Sequence, residues 1–459
     1  MALAQEIGDR GGEARAITGI SAAHSTLGKY EKSIEFTKEA LVINRELGND
    51  TAISLNLISL GAAYGNLGEY EESIFYSRQA LIVGRKTQSR NEEFFALKNL
   101  GVAFKELGQT DTAISFFKQA INIIESIRRD NIHIDQSLQE VYIDKHDKSY
   151  RQLADLLLTQ GKVLEAQKVL DLLAIEEIQD YNQNTRSTVL PSGEIDYTET
   201  ETKIRDRHNT LVKVGLEILR CEVPNSGCRA QLPDLREQRR KLVIQFNQLT
   251  KAINQQSIAR QAQEDGVQLI AGLNNSARKL VEQKDNTLFV YTFINIDPKD
   301  PRKGTLWLIW VGPGGVVNTI DREINPKELA NTALKFRRLL TSSRPYDATE
   351  FQTLSQQLHW WIIDPLQDEL EKNNIQHLVF RLDRELRYIP MAALHNGDSF
   401  LIERYTVANG FCRHCAALMW RSESRYPISN SCPMPPRSSG SIFKTTSSCS
   451  TCAGIVATP

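Results

Sequence analysis

Along its first 130 residues the chain alternates apolar and polar positions with the period of amphipathic helices, and the whole pattern recurs every 40 residues. Leu27-Gly28-Lys29-Tyr30-Glu31, Leu67-Gly68-Glu69-Tyr70-Glu71 and Leu107-Gly108-Gln109-Thr110-Asp111 fall into register, as do Ile34, Ile74 and Ile114, and Ala40, Ala80 and Ala120. Within each unit one helix ends at the Leu-Gly pair and a second begins two or three residues later. The glycine suits the left-handed position just past a helix end, where a Cβ would be strained. Ala63 and Ala103 fall where helix backbones must approach, and Tyr64 and Phe104 supply bulk beside them. His24 takes the Tyr64 position in the first unit, so a packed ring is expected there rather than a metal ligand or catalytic group.

These motifs (Leu60-Gly61-Ala62-Ala63-Tyr64, Leu67-Gly68-Glu69-Tyr70, Ala80) resemble the tetratricopeptide repeat, and the 40-residue period is similar to its kinesin-light-chain variety. The resemblance covers about residues 2–128. A fourth pair, Tyr150–Leu173, carries Gly161 and Ala166 in matching places but is displaced by a further 13 residues. Residues 2–8 align with 42–48, the end of a second helix, so the register expects further repeats upstream of Met1 in a longer parent. The resemblance implies a superhelical array, residues 1–180, whose first helices line a groove for a peptide or helix of a partner protein. Groove-facing positions would be Thr26, Asn66, Lys98 and Lys105. Lys98 and Lys105 lie two turns apart on one helix face, either pairing with acidic ligand groups or simply solvated.

From about 181 the period disappears. Asn182–Thr200 is polar with Pro191-Ser192-Gly193 and reads as a loop. Helical spacing returns over 201–220 and 233–285, where Leu235, Leu242, Phe246, Leu249 and Ile253 recur at threes, fours and sevens. A long helical hairpin packed on its neighbours is expected for this linker region, 181–285. Cys221 and Cys228 flank a turn; a disulfide is conceivable there, yet a cytoplasmic setting favours free thiols.

Near 287 the pattern turns to strands: Leu288–Ile294, Leu306–Val311 and Val316–Ile320, the last two joined by Gly312-Pro313-Gly314-Gly315. No Lys-Ser/Thr follows those glycines, so they form a hairpin turn and not a phosphate loop. Helices follow at Pro326–Leu340 and Glu350–Lys372, with Trp360-Trp361 expected against the sheet and His359 on the helix surface. Leu378–Leu382 reads as a buried strand, Leu401–Glu403 and Tyr405–Ala408 as further strands, and His395-Asn396-Gly397-Asp398 as a turn. The run HLVFRLDRELRYIPMAAL, residues 377–394, followed by Phe400-Leu401-Ile402-Glu403, resembles the front part of the CHAT domain, a relative of caspases and separase. The fold class expected is therefore an all-α superhelical repeat array, a helical linker, and an incomplete α/β, caspase-like domain over 286–408. Active members of that family use a His–Cys dyad in Ala-Thr-His-Gly-like and Ser-Ala-Cys-like motifs; this chain has neither, so no catalytic residue is expected in it.

Formal net charge is −1 with 24% charged residues, which gives no global field toward nucleic acid or an anionic membrane. No run approaches the ~18 apolar residues of a spanning helix, and the N-terminus lacks the pattern of a secretory signal; a cytoplasmic location is the default expectation. Cysteine use changes abruptly: residues 1–408 hold only Cys221 and Cys228, whereas 409–459 hold Cys412, Cys415, Cys432, Cys449 and Cys452, with ten serines and one acid, Glu423. Cys412-x-x-Cys415 and Cys449-x-x-Cys452 have the spacing of zinc ligand pairs. Their long separation, and the break at a point where the family pattern should run on, favour a disordered or out-of-frame tail with no metal or other cofactor. Two functions are expected to compete: a protein–protein interaction module attached to a truncated, inactive caspase-like domain, or the remnant of a repeat-regulated cysteine endopeptidase active only in its full-length parent.

Overall fold

A computed structural model describes residues 2–131, 146–181, 194–223, 226–261, 286–313, 317–341 and 348–409. They form two units, one built on helical hairpins and one on a sheet. In the first unit a short helix α1 (Ala2–Glu6) precedes three hairpins: α2 (Arg10–Thr26) with α3 (Tyr30–Glu46), α4 (Asp50–Leu67) with α5 (Tyr70–Lys86), and α6 (Arg90–Glu106) with α7 (Thr110–Asp130). A fourth pair, α8 (Asp147–Thr159) and α9 (Val163–Tyr181), follows as its displaced register implies.

Each of the first three hairpins is closed by one pair of stacked rings. His24 lies on Phe36 at 5.4 Å, Tyr64 on Tyr76 at 5.3 Å and Phe104 on Phe116 at 5.3 Å, with planes within 8° of parallel. His24 is thus a ring filler, as its place in the repeat implies. Beside the stack the helices touch through small residues. A Cβ on Gly61 would stand 2.4 Å from Ser77 Oγ, and Ser73 Oγ donates to the Gly61 carbonyl at 2.7 Å. Gly28, Gly68 and Gly108 end the first helices with φ of +71°, +86° and +70°, the left-handed geometry that suits a residue without Cβ.

A second layer packs on α5 and α7: the hairpin of α10 (Glu199–Glu222) and α11 (Leu232–Gln261). Chain segment 194–198 leads into it along α7. Asn122 treats that segment like a neighbouring strand, its amide donating to Ile195 O at 3.0 Å and its oxygen accepting from Ile195 N at 2.8 Å. Thr198 and Glu201 then form a capping box at the start of α10. Fully buried Lys118 of α7 holds the junction, donating from Nζ to Glu201 at 2.7 Å, to the Asp196 carbonyl at 3.0 Å and to Glu165 of α9. Of the apolar series on α11, Leu242 and Phe246 are buried; residues 262–285 of the expected helix lie outside the described residues. Cys221 and Cys228 depart from expectation. The turn between them brings their Cα atoms to 5.1 Å, inside the range a disulfide spans, and the two are bonded.

The second unit is a five-stranded sheet in the order β3-β2-β1-β4-β5. Strands β1 (Thr287–Ile296), β2 (Gly304–Val311) and β3 (Val317–Ile324) form an antiparallel meander, with Val290 opposite Trp310 and Leu308 opposite Ile320. The β2–β3 turn is a hairpin connection as expected, although 314–316 lie outside the described residues. Strands β4 (His377–Arg381) and β5 (Thr406–Asn409) add in parallel, Val290 pairing with Phe380 and Leu378 with Val407. Helices α12 (Pro326–Thr341), α13 (Ala348–Ile362) and α14 (Gln367–Lys372) lie in sequence between β3 and β4. They share one core with the sheet, made of Leu288, Val290, Leu308, Phe336, Leu358 and Phe380 among others.

Three local expectations fail here. The helix expected over Glu350–Lys372 is interrupted, because Pro365 has no N–H to continue the ladder and a 3-10 turn, Asp364–Leu366, takes its place. Trp361 is buried, but Trp360, one residue earlier and so about 100° around the helix, is exposed and carries the Arg322 guanidinium on its ring at 4.2 Å. Leu401–Glu403 is no strand but part of a helical turn, Leu401–Arg404, because the Glu403 carboxylate bonds back to Phe400 N and bends the chain before β5.

Because Glu201 and Lys118 are both fully buried, Lys118→Met strands a carboxylate without its counter-ion. It should lower stability by about 3–5 kcal/mol, read from urea midpoints. The double change Lys118→Met, Glu201→Gln keeps the capping box and should recover much of that loss.

Candidate peptide-binding face and the expected dyad region

The first helices lie side by side because polar side chains tie them. Asn99 of α6 donates to the Ile58 carbonyl of α4 at 3.1 Å, and Asn56 of α4 donates to Thr18 Oγ1 of α2 at 3.4 Å. Asn56 in turn accepts from Asn44 Nδ2 at 2.8 Å, which fixes its orientation from the second-helix side. Thr26 and Asn66 occupy equivalent places at the ends of α2 and α4, and both are exposed. The Thr26 hydroxyl donates to the Ala22 carbonyl at 3.0 Å, which leaves its oxygen lone pairs for a ligand. The same position in α6 is Glu106, which accepts from Tyr70 Oη at 3.1 Å.

Lys98 and Lys105 share a face of α6, and both are half-buried rather than freely solvated. Burial, and then the Lys148 ammonium of α8, hold the Lys98 pKa below its ordinary value. Lys148 escaped the sequence reading because its helix stands outside the 40-residue register, so nothing in the repeat pattern aligns it with Lys98.

At the carboxyl ends of β1 and β4 the ladder is extended by a side chain. Asp383 Oδ2 accepts from Ile294 N at 2.9 Å, and Asp383 N donates to Thr292 Oγ1 at 2.8 Å. The chain then turns through Arg384, whose φ is +48°. His359, expected on a helix surface, is instead buried, with Nδ1 2.6 Å from Asp364 Oδ1. The helix break at Pro365 folds Asp364 back beneath the ring. Burial lowers the His359 pKa, and Asp364 opposes that shift. His395 belongs to the Asn396-Gly397 turn: its Nδ1 accepts from Gly397 N at 2.9 Å and its ring stands edge-on to Phe400 at 4.7 Å. Residues 286–409 contain no cysteine. Among the described residues no His, Cys, Asp or Glu group could hold a metal ion, and no helix is long and apolar enough to cross a membrane. The cysteine pairs beyond 409 lie outside the described residues.

The tetratricopeptide repeat family model matches residues 50–126, and the CHAT domain family model matches residues 352–425. The chain carries tetratricopeptide repeats and a CHAT domain segment. No curated protein matches it at a significant level. The tetratricopeptide match spans α4 to α7 short of its last turn, and α2–α3 repeats the same ring stack just outside it. The CHAT match begins within α13, takes in the Asp383 turn and β5, and runs on beyond Ala408. Strands β1–β3 and helix α12 precede that match in sequence yet belong to the same sheet and core.

Lys98 in the free protein should act against stability. Its folded pKa lies below the ordinary 10.5, so the unfolded chain binds more protons in the interval between the two values, and stability must rise with pH there. Urea unfolding across that alkaline interval should show the rise in the native chain. The rise should shrink in Lys148→Gln and vanish in Lys98→Met.

Proposed function

We propose that this chain is an interaction protein whose first-helix face binds an acidic peptide or helix of a partner protein. The observation that carries this reading is half-buried Lys98 on α6, whose ammonium is desolvated and repelled by the exposed Lys148 ammonium of α8. An arriving carboxylate relieves that repulsion, so the site is poised for an anionic ligand group. Lys105 extends the charge along α6, and exposed Asn66 and Thr26 offer neutral donors and acceptors for a peptide backbone on α4 and α2. The α10–α11 hairpin packs on α5 and α7, that is, on second helices, and so supports the first helices as the recognition side.

In this proposal the CHAT segment does no chemistry in the chain as given, since neither dyad motif is in its sequence. The chain divides into a recognition unit over residues 1–180, a helical support over 181–285 and the partial α/β domain over 286–408. The CHAT match itself favours a second reading: a repeat-regulated cysteine endopeptidase in a longer parent. Incubation of the chain with peptide substrates and an active-site thiol probe separates the two, because specific turnover would overturn the first.

Fluorescence anisotropy with a panel of labelled peptides tests the binding directly. Acidic peptides should bind with affinity that falls as salt is raised. Lys98→Ala should weaken them roughly tenfold, the size of one lost charge-assisted hydrogen bond. Equal affinity for acidic, neutral and basic peptides would sink the proposal.

A further inference from the structure

On the other side of the array, in the seam where α10 and α11 dock, the Arg78 guanidinium lies buried with no carboxylate of the described residues bonded to it. Arg78 of α5 is only 6% exposed and lies over the Phe246 ring of α11 at 5.0 Å. Its Nε and Nη2 are buried and have no hydrogen-bond partner. Those two nitrogens form one edge of the guanidinium, the edge whose parallel N–H bonds fit two oxygens of one oxyanion. His208 of α10 is fully buried against the rings of Phe116, at 4.8 Å and perpendicular to it, and Phe246, at 5.3 Å and tilted, and neither of its ring nitrogens has a partner.

The surrounding charges make the deficit worse. Burial, then the half-buried Arg239 guanidinium of α11, bring the Arg78 pKa down to about 10. Burial, then Arg78 and Arg85, hold the His208 pKa well below its ordinary value. Arg85 itself is satisfied by Glu93 at 3.2 Å and Asn209 at 3.0 Å. The acid that acts on Arg239 is Glu222, already bonded to Arg236 at 2.9 Å. No carboxylate of the described residues bonds Arg78. A buried cation with an orphaned donor edge is among the most costly arrangements a protein can hold. The orphaned Arg78 edge, with the Arg239 charge acting on it, favours an anion there.

We propose that this seam is an anion site: a compact oxyanion of phosphate size, held by the Nε–H and Nη2–H edge of Arg78 with the Arg239 guanidinium and one His208 N–H, neutralises the cluster and locks the α10–α11 hairpin onto the repeats. It lies on the second-helix side, so it is independent of the peptide-binding proposal. Its chemistry also differs from that of Lys118, whose charge is met by two carboxylates of the chain itself.

Calorimetric titration of the full chain, dialysed into chloride, with inorganic phosphate tests the site. One saturable site is expected, weakened at least tenfold in Arg239→Gln and lost in Arg78→Met. Thermal unfolding gives a second reading. At matched ionic strength phosphate should raise the Tm of the native chain over its value in chloride, and that difference should disappear in Arg78→Met. In chloride, Arg78→Met should melt no lower than the native chain, because it removes an uncompensated charge and keeps apolar contact with Phe246. Absence of saturable binding, equal binding in the native chain and both variants, or a lower chloride Tm for Arg78→Met would each overturn the proposal. If Arg78→Met failed to fold, that too would count against it, and half-exposed Arg239 would still report on binding.

Discussion

The distance between the two helices of a hairpin governs the repeat unit, and a single ring stack sets it. Rings twelve residues apart, one from each helix, lie parallel at just over 5 Å in three successive hairpins. A stack of this kind fixes separation and rotation together, since offset rings lose contact if either changes. The small residues beside it then permit the approach that the rings demand. Histidine, tyrosine and phenylalanine all serve at the first-helix position because what matters is a flat ring of a given reach. Once that geometry is fixed, the first helices must run side by side, and the spacing of any groove they line follows from it.

The second layer rests on a different kind of interaction. The hairpin α10–α11 and the segment leading into it meet the array through buried and half-buried ions and amides: Lys118 with Glu201, Asn122 with Ile195, Arg85 with Asn209. Such groups contribute little net stability but are costly to misplace, so they select one docking position over others of equal apolar area. Lys118 illustrates the satisfied case and Arg78 the unsatisfied one, a short distance along the same docked surface. The contrast between them is what singles out the seam for the anion proposed there.

In the sheet unit the corresponding constraint is the Asp383 side chain. It takes over the hydrogen-bonding role of a strand at the end of β1 just where β4 has run out. This lets the chain leave the sheet, pass through two 3-10 turns whose apolar residues Leu386, Ile389 and Met391 are buried, and return as β5. Leu-Ile-Glu is β-like in composition and reads as a strand, but the local carboxylate-to-backbone bond outweighs propensity and makes it the bend before β5. Likewise the sequence places His359 on a helix surface, and the structure buries it. A proline-driven break, invisible to helical periodicity, turned Asp364 toward it and took the ring out of water.

The sequence alone determined what local physics repeats or periodicity can encode: the 40-residue hairpins with their left-handed glycines, the ring filler at His24, the antiparallel β2–β3 pair and the strand leading into the Asp383 turn. Each depends on residues close in the chain or on a pattern copied three times. Tertiary structure decided what depends on residues brought together from far apart. Lys148 acting on Lys98, Lys118 between two glutamates, and the charge of Arg239 acting on Arg78 are of this kind. No period relates these partners, since electrostatics and burial act through space and leave no fixed spacing along the chain to read.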